Sequence, residues 1–454
     1  MQQSINPATG QTIKQYPLHD KAAVARAIEL AHVHFVHWRQ TSIEQRALMV
    51  ARVSELLLES KERYATLISQ EVGKPLKEAA AEVEKCALAA RYFAENGAAH
   101  LADVPIKTEY QKSYVSYQPL GIVLGVMPWN FPFWQVLRFA LPTLMAGNVG
   151  LLKHASNTPG CALAIEALFR EAGFHEHAFQ ALLIPGDRVV EAISHPHVRA
   201  VTLTGSTPAG RSVAALAGQY LKKTVLELGG SDPYIVLEDA DIEHAIKTCA
   251  ASRLLNCGQS CVSAKRFIVV EKHRARFEQG VVEIFRAQVQ GDPLVASTTI
   301  GPMSRADLRD ELDAQVQRTL AEGATLLLGG SKPEGPGAFY PPSVITGVKP
   351  GMTAYKEEMF GPVAVIIPVA DEEEALRVAN DTEFGLGGAV FTTDIARGER
   401  IARNKVESGA CFVNIMVRSD PRLPFGGVKA SGYGRELATF GIHEFVNIKT
   451  IVVA

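Results

Sequence analysis

Between residues 20 and 100 apolar side chains recur at three- and four-residue spacing, the period of helices with one buried face. DKAAVARAIELAHVHFVHW and SIEQRALMVARVSELLLESKERYATLISQEVG carry the pattern, and Thr41 or Ser42 is placed to cap the second, with Glu44 and Gln45 in its first turn. Near Ser113 the period shortens, and SYVSYQP alternates like a strand. Short apolar runs then follow one another: GIVLGVM, VGLLK, AFQALLIP, AVTLTG and TVLELGG. Helix-like stretches such as ALAIEALFREAG and RVVEAISH lie between them, which is the rhythm of a parallel α/β sheet.

A second α/β pattern follows Gly230. Its predicted strands are DPYIVL, RFIVVE, ATLLLGG and PVAVIIPVA, and its predicted helices are DIEHAIKTCAASRLL, HRARFEQGVVEIFRAQV, DLRDELDAQVQRTLAEG and DEEEALRVAND. The tail FVNIKTIVVA reads as a further β segment. With SYVSYQP it predicts an arm that pairs either with another subunit or within its own chain, and the pattern favours neither. The most apolar stretch, residues 121–134, is broken by Pro128 and Pro132 and is too short to span a bilayer.

Length and composition narrow the function classes. A chain of 454 residues predicts two or three domains and can bury large cores without disulfide staples. Its 46 basic and 48 acidic side chains nearly cancel and form no long run of one sign, which argues against a nucleic-acid groove or a polybasic membrane patch. MQQSINPATG lacks the basic and apolar segments of a signal peptide, and six cysteines are scattered over positions 86, 161, 249, 257, 261 and 411. The expectation is a reduced cytoplasmic protein.

Several segments bear groups that can do chemistry. NCGQSCVSAKR holds Cys257 and Cys261 beside the flexible Gly258. A thiol there can be exposed to backbone N–H donors, and a helix N-terminus would favour its thiolate. No CxxC occurs and His273 is far along the pattern, so no metal site is expected; two packed cysteines are the plain alternative. In PWNFPFWQVLR two prolines stiffen the backbone around Asn130, whose amide can form half of an oxyanion hole. LLKHASNTP and TLTGSTPAG follow predicted strands, where open α/β sheets bind ligands. Lys153 offers a cation there, and Gly205, Ser206, Thr207 and Gly210 make a small-residue turn that admits a pyrophosphate. Glu227, at the end of an apolar strand in LELGG, is placed for desolvation and work as a general base, although a strand-end Glu is more often salt-bridged. The purposes of KEEMFGPV and LPFGGVKASGYGRE stay open. Neither S-x-x-K nor G-x-S-x-G occurs, which disfavours serine hydrolase chemistry.

In order and spacing, NPATG, PWNFP, LKHASNTP, TGSTPAG, LELGG, NCGQSC, EEMFGPV, ANDTEFGL and PFGGVKASGYGRE resemble the aldehyde dehydrogenase superfamily across essentially the whole chain. GQSCVSAKRFIV, GPMSRADLRDEL and FGIHEFVNIKT resemble its bacterial succinate-semialdehyde branch in particular. The resemblance implies an α/β fold with a Rossmann-type cofactor domain (residues 1–100 and 120–229), an α/β catalytic domain (230–430) and a small β oligomerisation arm (101–119 and 440–454). It implies Cys261 as nucleophile, Asn130 and the Cys261 N–H as oxyanion donors, and Glu227 as the base that activates water. Trp129, Lys153, Ser156, Gly205, Ser206, Glu358 and Phe360 match cofactor positions.

NAD-preferring members often carry Glu where this chain has Ser156. A neutral residue beside Lys153 predicts NADP as the preferred cofactor, with NAD as a second acceptor. For the substrate, Arg138 is expected to point inward from the helix after PWNFP, and Ser419 to close the funnel, which together suit a carboxylate-bearing aldehyde. The alternative for Arg138 is a salt bridge between domains or subunits. The rival functions are oxidation of another semialdehyde such as glutarate semialdehyde, CoA-acylating chemistry, and a catalytically silent structural relative. The resemblance further implies a homodimer or homotetramer. Cys257 is expected to pack, with a redox pairing to Cys261 as the lesser alternative.

Overall fold

The computed structural model describes residues 1–454. Two α/β units lie side by side, each with its own hydrophobic core, one of 63 and one of 45 buried residues. The first core draws on residues from Val24 to Leu228 plus a few from the C-terminal quarter, and the second runs from Tyr234 to Val417.

In the first unit five parallel strands lie in the order Lys223–Glu227, Val198–Thr204, Ile122–Met127, Val149–His154 and Phe179–Ala181. The chain builds outward from Ile122–Met127 on one side, then returns to build on the other. The order therefore reverses between Ile122–Met127 and Val198–Thr204, and the ligand crevice of an open α/β sheet forms at the carboxyl ends of such strands. Asn130, Lys153, Ser206 and Glu227 all sit at or just beyond carboxyl ends in this sheet. Four helices, Lys21–Trp38, Ile43–Glu59, Lys61–Val72 and Leu76–His100, pack into its core as the three-and-four spacing predicts. Ser42, and not Thr41, caps the second helix, its hydroxyl accepting from the Gln45 N–H at 3.2 Å.

The second unit is a seven-stranded sheet, parallel except for its edge strand Thr325–Leu328. Three of its strands, Ser343–Thr346, Gly387–Phe391 and Ala410–Val413, lie outside the segments predicted above. Each has only four or five residues, too few to announce a period. The hairpin Gln2–Ile5 with Thr12–Tyr16 was likewise silent in the pattern, because both strands are short and the second is mostly exposed.

The tail pairs within its own chain. Val446–Val453 runs antiparallel to Lys112–Pro119 along its full length, with Val104–Pro105 on the far side of that strand. One edge of Val446–Val453 is unpaired, and its Ile448, Val452 and Val453 are exposed. No helix is long and apolar enough to cross a membrane.

Candidate active site

A cleft of about 510 Å³ opens between the two units, lined among others by Trp129, Asn130, Thr204, Gly205, Ser206, Leu228, Cys261, Glu358 and Phe360. Each arrives for a local reason. The turn after Ile122–Met127 brings Trp129 and Asn130, and the capped N-terminus of the helix Thr207–Gln219 brings Gly205 and Ser206. Glu358 and Phe360 come from KEEMFGPV, whose purpose composition alone left open and which the family resemblance assigned to the cofactor. Gly229 lets that loop close in, since a Cβ there would lie 2.4 Å from a Glu358 carboxylate oxygen.

Cys261 lies in a turn after the short 3-10 segment Leu255–Gly258 and not at a helix N-terminus, so no helix dipole acts on it. The loop that presents it is strained: Asn256 and Cys257 take left-handed φ of 52° and 54°. Gly258 has φ 71°, and a Cβ there would meet the Gly361 carbonyl oxygen at 2.1 Å, so glycine is required. Hydrogen bonds hold the strain in place. The Asn256 amide donates to the Asn130 carbonyl at 2.7 Å, and the Asn130 amide donates to the Gln259 carbonyl at 3.1 Å. Asn130 is thereby fixed against the cysteine loop with one N–H spoken for and one remaining.

The two cysteines part company here. Cys257 belongs to the buried core of the second unit, whereas Cys261 packs against the first and is partly exposed. Burial pushes the Cys261 thiol up to about 11, while the nearby Lys265 and Arg138 charges pull it down. Lys265, which sequence reasoning missed, donates to the Cys261 carbonyl at 2.6 Å and pairs with Glu358 at 2.9 Å.

Glu227 stands just behind the cleft wall, between the lining residues Thr204 and Leu228. It is 2% exposed, and neither carboxylate oxygen has a hydrogen-bond partner. Burial raises its pKa well above the carboxylate range, and the neighbouring Glu436 raises it further against the pull of Arg138 and Arg435. The glycine-rich LPFGGVKASGYGRE segment is what comes so near. Its Gly432–Tyr433 pairs antiparallel with the end of Lys223–Glu227, and a Cβ on Gly426 would sit 2.7 Å from Glu227 Oε1.

Arg138 is not part of the cleft lining. Its guanidinium is fully buried, ion-paired with Glu436, donating to Thr204 Oγ1 at 3.2 Å and stacked on the Phe425 ring. This intramolecular pair matches the salt-bridge alternative in kind and leaves the arginine charge already balanced. Ser419 is nearly buried and accepts from Trp134 Nε1 at 3.1 Å and from Lys85 Nζ at 2.8 Å. At the other end Lys153 is half-buried without a carboxylate partner, and burial lowers its pKa. Ser156 is exposed nearby, its carbonyl accepting from the Gln2 side chain. No group of three or more His, Cys, Asp or Glu side chains is placed to hold a metal ion.

Comparison with known proteins places this geometry in context. The model of the aldehyde dehydrogenase family matches residues 1–451. A probable NADP(+) succinate-semialdehyde dehydrogenase of Synechocystis is 48% identical over 99% of both chains. An Escherichia coli succinate semialdehyde dehydrogenase whose name gives NAD(P)+ is 47% identical, covering 99% of this chain and 97% of its own. Among solved structures, the succinic semialdehyde dehydrogenase of Streptococcus pyogenes in complex with NADP+ superposes with a TM-score of 0.98 at 38% identity, over the whole of both chains. A fold built around this cleft and a sequence matched almost from end to end lead to one conclusion: the chain belongs to the aldehyde dehydrogenase family.

Proposed function

We propose that the protein oxidises succinate semialdehyde to succinate, using NADP in preference to NAD. The observation that carries the reading is the meeting of Cys261 and Asn130 in one cleft with Glu227 behind its wall, a buried carboxylate with both oxygens unpaired. A structural role would leave such a group satisfied, because an unpaired buried carboxylate costs several kcal/mol, roughly. The named activities of the relatives supply the substrate and cofactor class.

The residues divide the work. The Cys261 sulfur adds to the aldehyde carbon as thiolate, a form that Lys265 and Arg138 favour against the effect of burial. The free N–H of the Asn130 amide and the Cys261 backbone N–H hold the resulting oxyanion, a contribution of about 10²–10³ in rate per donor. Bound NADP supplies the hydride acceptor. The open cleft beside Gly205 and Ser206 fits its pyrophosphate, Phe360 with Trp129 against it (ring centroids 6.0 Å apart) fits the nicotinamide end, and the unpaired Lys153 with Ser156 fits a 2′-phosphate. Loss of hydride from the thiohemiacetal leaves a thioester on Cys261. Glu227 then takes a proton from water as the water attacks that thioester. Burial and Glu436 raise its pKa, which makes the carboxylate a stronger base once it has ionised.

The unit from residue 1 to 229, apart from the arm, serves as the cofactor half and 230–430 as the catalytic half, with the arm strands 101–119 and 440–454 assigned to self-association into a dimer or tetramer. The open, apolar edge of Val446–Val453 supports that last assignment. The balanced charge of the chain and its lack of a helix fit to cross a membrane agree with an enzyme acting on a small soluble aldehyde.

Reduced-cofactor absorbance with a panel of aldehydes tests the reading. Succinate semialdehyde with NADP should give the highest kcat/KM, independent of CoA. Better turnover of glutarate semialdehyde, equal efficiency with NAD, or a requirement for CoA would each overturn the corresponding part. No turnover of any aldehyde would make the protein a silent relative.

A further inference from the structure

The turn that leads to Cys261 is left-handed over three residues in succession, Asn256, Cys257 and Gly258, with φ of 52°, 54° and 71°. Glycine adopts that conformation freely, but a residue with a Cβ resists it, so two of these positions are held against their preference. Within the turn, the Gln259 N–H and side-chain amide both donate to the Asn256 carbonyl, at 3.0 and 3.1 Å. The N–H at the start of the turn and the carbonyl at its end are met from outside. Glu78, on the helix Leu76–His100, accepts the Asn256 N–H at 2.7 Å. Arg253, on the helix Ile242–Leu254, donates to the Gly258 carbonyl.

Neither charge has a counter-ion of its own. Arg253 is completely buried without a carboxylate in ion-pair distance, and its Nε and Nη1 have no partner. Lys74, the cation whose charge is felt at Glu78, is already paired with Glu82. An unpaired buried charge is unfavourable, so a guanidinium is a poor choice for packing alone. Each helix favours the charge it carries, since Glu78 stands in a first turn and Arg253 in a last turn. The signs also match the turn: an anion meets the N–H and a cation meets the carbonyl, the stronger kind of hydrogen bond. Burial raises the Glu78 carboxyl to about 7, and the Asn256 N–H is the first influence that pulls it back.

The turn fixes the chemistry beyond it. The Asn256 side-chain amide donates to the Asn130 carbonyl at 2.7 Å and to the Gln259 carbonyl at 3.2 Å. The Asn130 amide donates to that same Gln259 carbonyl at 3.1 Å. A turn released into right-handed backbone would swing the Asn256 amide off Asn130 and rotate the carbonyl that orients the oxyanion donor. Cys261, two residues past Gln259, would move with it. We propose that Glu78 and Arg253 are positioning residues that clamp the turn 256–258 at its two ends and so set Cys261 and Asn130 for attack on the aldehyde. Neither lines the cleft, so both act through the turn and not on the substrate. The proposal rests on the roles proposed above for Cys261 and Asn130.

The test follows NADPH formation in a single turnover, with enzyme in excess over succinate semialdehyde and NADP saturating. Glu78→Leu and Arg253→Met should each slow that turnover about 10–100-fold, the scale of one charge-assisted hydrogen bond. Glu78→Gln keeps an acceptor and Arg253→Lys keeps a donor, so each should fall between wild type and its apolar counterpart. The NADP dissociation constant, read by tryptophan fluorescence, should stay within about threefold of wild type, which places the loss on rate and not on cofactor binding. Side chains that only support the fold would lower the melting temperature and leave the single-turnover rate of the folded enzyme unchanged. That result would overturn the clamp, as would Glu78→Gln no faster than Glu78→Leu. If the Leu and Met variants fail to fold, wild-type rates in both Glu78→Gln and Arg253→Lys overturn it as well. A wild type that forms no NADPH from the aldehyde would instead overturn the function on which the proposal rests.

Discussion

Two glutamates of the first unit, Glu82 and Glu227, are equally hidden from solvent and yet opposite in circumstance. Glu82 pairs with Lys74 and accepts the Phe133 and Trp134 N–H groups at 2.9 and 3.0 Å. It satisfies the start of a helix whose every residue is buried, where a carboxylate also opposes the positive end of the dipole. Glu227 has neither a donor nor a counter-ion on either oxygen and faces another acid, Glu436. The first arrangement holds a wall in place. The second is held by the wall, and its unmet bonding capacity is what water and substrate can use.

The contrast can be broken from either side. Cys261→Ala should abolish aldehyde oxidation while leaving thermal stability within about 1 kcal/mol of wild type, since a partly exposed thiol outside any ion pair is removed. Residual turnover of more than about a thousandth would remove Cys261 from the nucleophile's place. Glu82→Gln should behave in the reverse way. It strands the buried Lys74 charge and is expected to cost roughly 3–5 kcal/mol of stability, read from denaturant midpoints, with kcat largely kept in the enzyme that remains folded. A variant as stable as wild type would show that the satisfied pair carries no structural weight.

A smaller effect sharpens the comparison at the cofactor end, where Lys153 is the unpaired cation. Ser156→Glu would provide a carboxylate beside it and repel a 2′-phosphate. The ratio of kcat/KM for NADP to that for NAD should fall about 10–100-fold, the scale of one or two charge-assisted hydrogen bonds. An unchanged ratio would move cofactor discrimination away from Ser156.

Much of this was legible beforehand where a residue's chemistry depends on its neighbours in sequence. The strand runs from GIVLGVM to TVLELGG appear as strands, and Asn130, Ser206 and Glu227 fall at their carboxyl ends because short turns follow each one. The partners that decide a group's state were not legible, because they come from far away. Glu436 reaches Arg138 across 298 positions, and Ser419 reaches Lys85 across 334. Lys85 itself sits on a helix face that reads as ordinary amphipathic polarity, and nothing local separates it from the solvated Lys77. Arg138 was read as substrate-facing from its distance to Asn130, but helix Trp134–Met145 is buried all round, so spacing along it does not select the cleft side.

The central claim is that the unpaired Glu227 hydrolyses a thioester formed on Cys261, and Glu227→Gln tests it most directly. Mixing this variant with succinate semialdehyde and NADP should release one equivalent of NADPH per active site in a burst. Steady turnover should then be slower by about 10²–10⁴, and mass spectrometry should find a succinyl group on the peptide bearing Cys261. Steady turnover at the wild-type rate, or a burst with no acyl group on Cys261, would contradict the account.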